Sequence, residues 1–98
     1  MQVEKALENG RLTLKVMGRL DTNTSPELEA EMDLSGVNEI AFDLSDLEYI
    51  SSAGLRVLMT AQKAMIACGG HMTVAHPNAT VKGVFDITGI SGIFEIVA

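Results

Sequence analysis

The stretch FDLSDLEYISSAGLRVLMTAQ, Phe42 to Gln62, decides how the rest of the chain folds. Its first residues close an apolar segment, Glu39 to Leu44 (EIAFDL), that reads as a buried strand. A loop, Ser45 to Ile50, leads to Ser51-Ser52 and then into the strongest helical pattern of the sequence. On a helical wheel Leu55, Leu58, Met59, Met65 and Ile66 share one arc, with Arg56, Thr60 and Lys63 opposite. Gln62 interrupts the apolar arc, and Gly69-Gly70 supplies the C-terminal stop. Strand, loop, helix and stop make the first part of a parallel crossover.

Elements on either side extend that unit. Before it, Val3 to Glu8 and Arg11 to Met17 flank Asn9-Gly10, whose tolerance of positive φ predicts a type I′ hairpin turn. Leu12, Leu14 and Val16 alternate with Thr13 and Lys15, so the second strand has one buried face, and Gly18 is expected to end it. The polar run Asp21 to Ser25 then precedes Pro26 at a first helical position, with Ser25 as the expected cap and Glu27 and Glu29 at the positive end of the helix dipole. This helix should stop before Ser35-Gly36. After the central unit, His71 to His76 reads as a fourth strand, and Pro77-Asn78 opens a helix carrying Val81, Val84, Phe85 and Thr88 at helical spacing. Gly89 closes it, and Ile93 to Val97 alternates as the last strand. The expected fold is α/β, one domain over residues 1–98, in the order β-β-α-β-α-β-α-β. Its mixed, mostly parallel sheet has about five strands, and it carries three helices. Sites in such folds gather at the carboxyl edge of the sheet, here at Gly18 to Ser25 and Ser45 to Ser51.

Composition narrows the function. A net charge of −6, with only 7 scattered Lys and Arg residues, disfavours nucleic acid and anionic membrane surfaces. No apolar run approaches the ~20 residues of a membrane span, so no membrane insertion is expected. The start, Met1-Gln2-Val3-Glu4, lacks the pattern of a secretory signal, and the single Cys68 cannot close an internal disulfide. The expected location is the cytoplasm. Cys68 itself is expected to fill the core.

Enzymatic motifs are incomplete. Ser52-Ala53-Gly54 supplies half of a nucleophile elbow, but Ile50 stands where its first glycine belongs. His71 and His76 are five apart on one strand and so face opposite sides, while Asp43, Asp46 and Glu48 lack the spacing of a cation loop. No phosphate-cradling glycine motif is present. The residues therefore predict no enzyme, no metal and no cofactor. The Ser51-Ser52 pair remains. Its hydroxyls can cap a helix, worth about 1 kcal/mol, or can accept a phosphate beside free backbone N–H groups. Residue chemistry alone leaves both open.

Phe42 to Gln62 resembles the central motif of bacterial anti-sigma-factor antagonists, the STAS domain family, in which a D-L strand end leads to a serine followed two residues later by Gly-Leu. Gly18-Arg19-Leu20-Asp21 resembles the family's G-x-L-D, and Phe85 to Ile90 resembles its F-x-x-[ST]-G-[LI], so the likeness spans the chain. The resemblance implies an anti-sigma factor, itself a serine kinase, as partner; inactivation by phosphorylation at Ser52; and resetting by a serine phosphatase. It implies a docking face of Asp21, Thr22, Asn23, Thr24, Ser51, Ser52, Gly54 and Arg56. Many members carry Asp before the acceptor; this chain has Ser51 there, a second-choice acceptor, and its first helix is shorter than is usual in the family. Two other roles fit the same resemblance. One is a constitutive adaptor subunit of a signalling or lipid-transport assembly, with Ser52 only a helix cap. The other is a sensor of a nucleotide or small ligand at the same edge.

Overall fold

Asn9 and Gly10 both adopt positive φ, 51° and 81°, as a type I′ turn requires. They join β1 (Gln2–Glu8) to β2 (Arg11–Leu20) in an antiparallel ladder. The computed structural model describes residues 1–97; Ala98, the last residue of the expected domain, lies outside them. From β2 onward the sheet is parallel. The first half of β2 pairs with β3 (Glu39–Asp43), β3 with β5 (His71–Ala75), and β5 with β6 (Glu95–Val97). The order is β1-β2-β3-β5-β6, so every crossover steps in one direction. Right-handed connections then place the helices α1 (Ser25–Ala30), α2 (Ser52–Ala67) and α3 (Ala79–Ile87) on one face.

That face holds the core. Register stacks Leu12 on Ile40 and Met72, and Leu14 on Phe42 and Val74, all buried. Leu28, Leu58, Ala61, Val81 and Phe85 cover them from the helices, with Phe85 edge-on to Phe94 at 5.9 Å between ring centroids. Burying each of the larger of these side chains contributes about 1.5–3 kcal/mol before entropy is counted. The alternating residues Thr13, Lys15 and Thr73 lie on the opposite, helix-free face.

Several expectations are corrected. The expected loop Ser45 to Ile50 contains a sixth strand, β4 (Leu47–Ile50), parallel to the last residues of β2. Correspondingly β2 does not end at Gly18 but runs on to Leu20, with a register shift between Gly18 and Arg19. Each short segment is a strand because the other supplies its backbone partners beyond the end of β3. Ser25 is the first residue of α1 rather than its cap; Thr24 occupies the cap position. On α2 the buried stripe is Gly54, Leu55, Val57, Leu58, Ala61 and Met65, while Ile66 is 67% exposed. Gln62 reaches out to donate to the Ile93 carbonyl at 3.3 Å. Cys68 is exposed at the C-cap of α2, not in the core. The last strand is shorter than expected, since Ile90–Gly92 forms a 3-10 turn before it.

Candidate functional site

The last pair of the β2–β4 ladder is Leu20 with Ile50, so the two chains leave the sheet side by side. The Ser51 N–H donates to the Leu20 carbonyl at 2.9 Å, which continues the contact one residue past the strands. This ladder brings the Asp21 to Thr24 loop against Ser51-Ser52. Sequence placed both segments at the carboxyl edge; the extra strand makes them neighbours.

The first segment is knotted by its own side chains. The Asp21 carboxylate accepts from the backbone N–H groups of Asn23 at 3.0 Å and Thr24 at 3.1 Å. The Thr24 N–H, with help from Asn23 and against partial desolvation, holds the Asp21 carboxyl below its usual range. The Thr24 hydroxyl accepts from the Asp21 N–H and lies 2.8 Å from the Arg19 carbonyl, to which it donates. Ser25, buried beneath, bonds the Asp21 carbonyl through both its N–H and its hydroxyl. Asp21 and Thr24 thus shape the loop, and Thr22 and Asn23 are its exposed residues.

The second segment separates the two serines. Ser51 has extended geometry (φ −99°, ψ 176°) and is the N-cap of α2; its hydroxyl oxygen accepts from the Gly54 N–H at a long 3.4 Å. Ser52 is the first helical residue, exposed, and its hydroxyl makes no hydrogen bond among the described residues. The cap role once open to Ser52 therefore belongs to Ser51. No side-chain base lies within hydrogen-bond reach of Ser52 among the described residues. Gly54 is buried. A Cβ there would stand 2.8 Å from both Ile50 Cγ1 and Leu20 Cγ, so only glycine lets α2 seat directly on the β2 and β4 ends.

Arg56 lies one turn along α2 and is exposed. A groove of about 240 Å³ between α1 and α2 collects Thr22, Pro26, Glu29, Ala53, Arg56 and Thr60. Of the expected docking residues it unites Thr22 with Arg56. Pro26 and Glu29 escaped sequence reasoning, because no pattern in a six-residue helix announces which side faces a neighbour, and so did Ala53 on α2, which meets them only once the two helices pack. The Arg19 guanidinium sits 4.5 Å from the Tyr49 ring centroid, a cation–π contact also missed. Beneath the site, Asp43 accepts from the Ser45 N–H at 3.0 Å, which keeps its carboxyl below the ordinary range. Lys15 pairs with Asp46 at 3.2 Å, and that bond raises the lysine's pKa. Together they anchor the turn into β4. Among the described residues no three His, Cys, Asp or Glu side chains are grouped to hold a metal, and no helix is long and apolar enough to cross a membrane.

The STAS domain profile matches residues 2–98. BtrV of Bordetella bronchiseptica, a candidate anti-sigma factor antagonist, is 32% identical over 91 residues, spanning 90% of this chain and 78% of that protein. The anti-sigma F factor antagonist of Paenibacillus polymyxa is 29% identical over 100 residues, spanning 98% and 86%. The anti-sigma factor antagonist SpoIIAA in its unphosphorylated form shares the fold, with a TM-score of 0.85 at 17% identity over 99% of this chain and 89% of that one. Its phosphorylated form from Bacillus superposes with a TM-score of 0.78 at 16% identity, over 99% and 92%.

Proposed function

The chain belongs to the STAS domain family, and we propose that it works as an anti-sigma factor antagonist whose docking face is switched by a phosphate on Ser52. The observation that carries this reading is the division of labour between the serines. Ser51 uses its oxygen as the helix cap; Ser52 offers an exposed hydroxyl with no structural duty. Esterifying Ser52 leaves the cap intact, whereas modifying Ser51 would sacrifice it at a cost of about 1 kcal/mol. The relatives' names supply the partner class, and a fold neighbour has been solved with and without its phosphate.

In this scheme the unmodified protein binds an anti-sigma factor in the cytoplasm and acts by binding alone. Thr22, Asn23, Ser52 and Arg56 present the contact surface. Asp21, Thr24, Ser51 and Gly54 hold it in shape. The anti-sigma factor, a serine kinase, transfers a phosphoryl group from a nucleoside triphosphate to Ser52 Oγ; diphosphate leaves and the hydroxyl proton goes to the kinase base. The added charge of about −1.5 to −2 repels a surface that had fitted a neutral hydroxyl. A serine phosphatase restores it.

Paired variants test the switch. Ser52→Asp should weaken binding to the anti-sigma factor by about 100-fold or more, while Ser52→Ala stays within a few-fold of the parent, both melting within about 2 °C of it. An aspartate variant that binds as tightly as the parent would sink the switch and leave a constitutive adaptor. Mass spectrometry after incubation with the kinase should place the phosphate on Ser52.

A further inference from the structure

Ser52 and Arg56 stand at positions i and i+4 on α2, so their side chains share one face, a single turn apart. Helical Cα–Cβ bonds tilt toward the N-terminus, and long side chains lean back over the preceding turn. The Arg56 guanidinium therefore has the Ser52 hydroxyl within its natural sweep, and both residues are exposed.

Among the described residues, Arg56 and Lys63 are the two of the seven Lys and Arg residues with no partner, and of these two Arg56 stands one turn from Ser52. Lys5, Arg11, Lys15 and Lys82 pair with carboxylates, and Arg19 covers the Tyr49 ring. Among the described residues, the Arg56 side chain has neither an ion pair nor a hydrogen bond; its backbone carbonyl accepts from the Thr60 hydroxyl. Glu29 lies across the groove on α1 and forms no ion pair with Arg56. An exposed cation is thus held unpaired one turn from the proposed phosphate acceptor.

We propose that Arg56 is a two-position cation, which rests on Ser52 as the acceptor: it meets an acidic group of the anti-sigma factor when Ser52 is free, and closes on the phosphate when Ser52 is modified. Phosphorylation then acts twice. It adds negative charge to the docking face and withdraws the one unpaired guanidinium from it. Arginine suits both positions, because its planar fork binds a carboxylate or a phosphate through two parallel N–H donors.

The test places phosphoserine at position 52 during translation, so it needs no kinase. Phosphorus NMR follows the second ionisation of the phosphate with pH in the parent, Arg56→Gln and Arg56→Lys. The latch predicts a pKa about 0.5 pH units lower in the parent than in Arg56→Gln, with Arg56→Lys between them. Values agreeing within about 0.1 would overturn it, since a dianion beside a closed guanidinium must titrate lower. For the unmodified protein, Arg56→Gln should weaken binding to the anti-sigma factor about 10-fold, with its melting temperature unchanged. Unaltered affinity would overturn the docking position. Failure of the kinase to label Ser52 counts against the proposed switch and not against these two measurements.

Discussion

Two of the helix mouths at the carboxyl edge of this sheet, those of α2 and α3, are built in opposite ways. At α3, Asn78 uses its whole side chain: Oδ1 accepts from the Val81 N–H at 2.8 Å, and Nδ2 donates to the Leu47 carbonyl at 2.9 Å. One residue caps a helix and ties it to β4. At α2, Ser51 makes one long bond of 3.4 Å, and the next hydroxyl makes none. At the α3 mouth the cap residue's amide is engaged at both ends. The α2 mouth is lightly capped yet held in place from below, by the Leu20–Ile50 ladder and by the close seat of Gly54. A mouth fixed through backbone and packing can leave its cap lightly engaged; a mouth fixed through its cap depends on that one side chain.

The contrast can be broken by attacking each support. Gly54→Val drives a branched side chain into Leu20 and Ile50, and should cost about 3 kcal/mol or more in urea unfolding. A loss under about 1 kcal/mol would mean that α2 lifts freely and that packing does not hold this mouth. Asn78→Ala removes a cap and strands the Leu47 carbonyl, for an expected loss of about 2 kcal/mol, whereas Ser51→Ala should lose less than about 1 kcal/mol. Equal losses would erase the difference between the mouths. The smallest effect is at Asp21. Its folded-state pKa is depressed, chiefly by the Thr24 N–H, so its contribution is present above the unfolded carboxyl pKa and is lost as pH falls through the lower folded value. Asp21→Asn should therefore flatten the acid limb of a melting-temperature profile and leave its slope at neutral pH unchanged.

Much of this was legible in the chain. Asn9-Gly10 announced its hairpin because few residues accept positive φ twice in succession. The opening of α3 at Pro77-Asn78, the stop at Gly69 and the buried strand around Phe42 followed from local chemistry in the same way. The two segments that form the site were also visible, as polar runs at strand ends. Other features depended on distant partners. Four residues, Leu47–Ile50, carry too little pattern to declare a strand, and they become one only because β2 outruns β3. Likewise Ile66 and Cys68 look apolar enough to bury, but the stripe of α2 that meets the sheet is centred on Leu58 and Ala61, and both fall outside it.

The serine pair shows the same boundary on the smallest scale. Two adjacent serines before a helix have identical capping chemistry, so sequence determined that a hydroxyl would stand at this mouth and that one could be spare. Which one is spare was decided by tertiary structure. The bond from the Ser51 N–H to the Leu20 carbonyl holds Ser51 in extended geometry as the cap, and Ser52 enters the helix with its side chain in solvent. A cap is set by backbone angles, and those angles are set here by a strand far earlier in the chain, through Leu20.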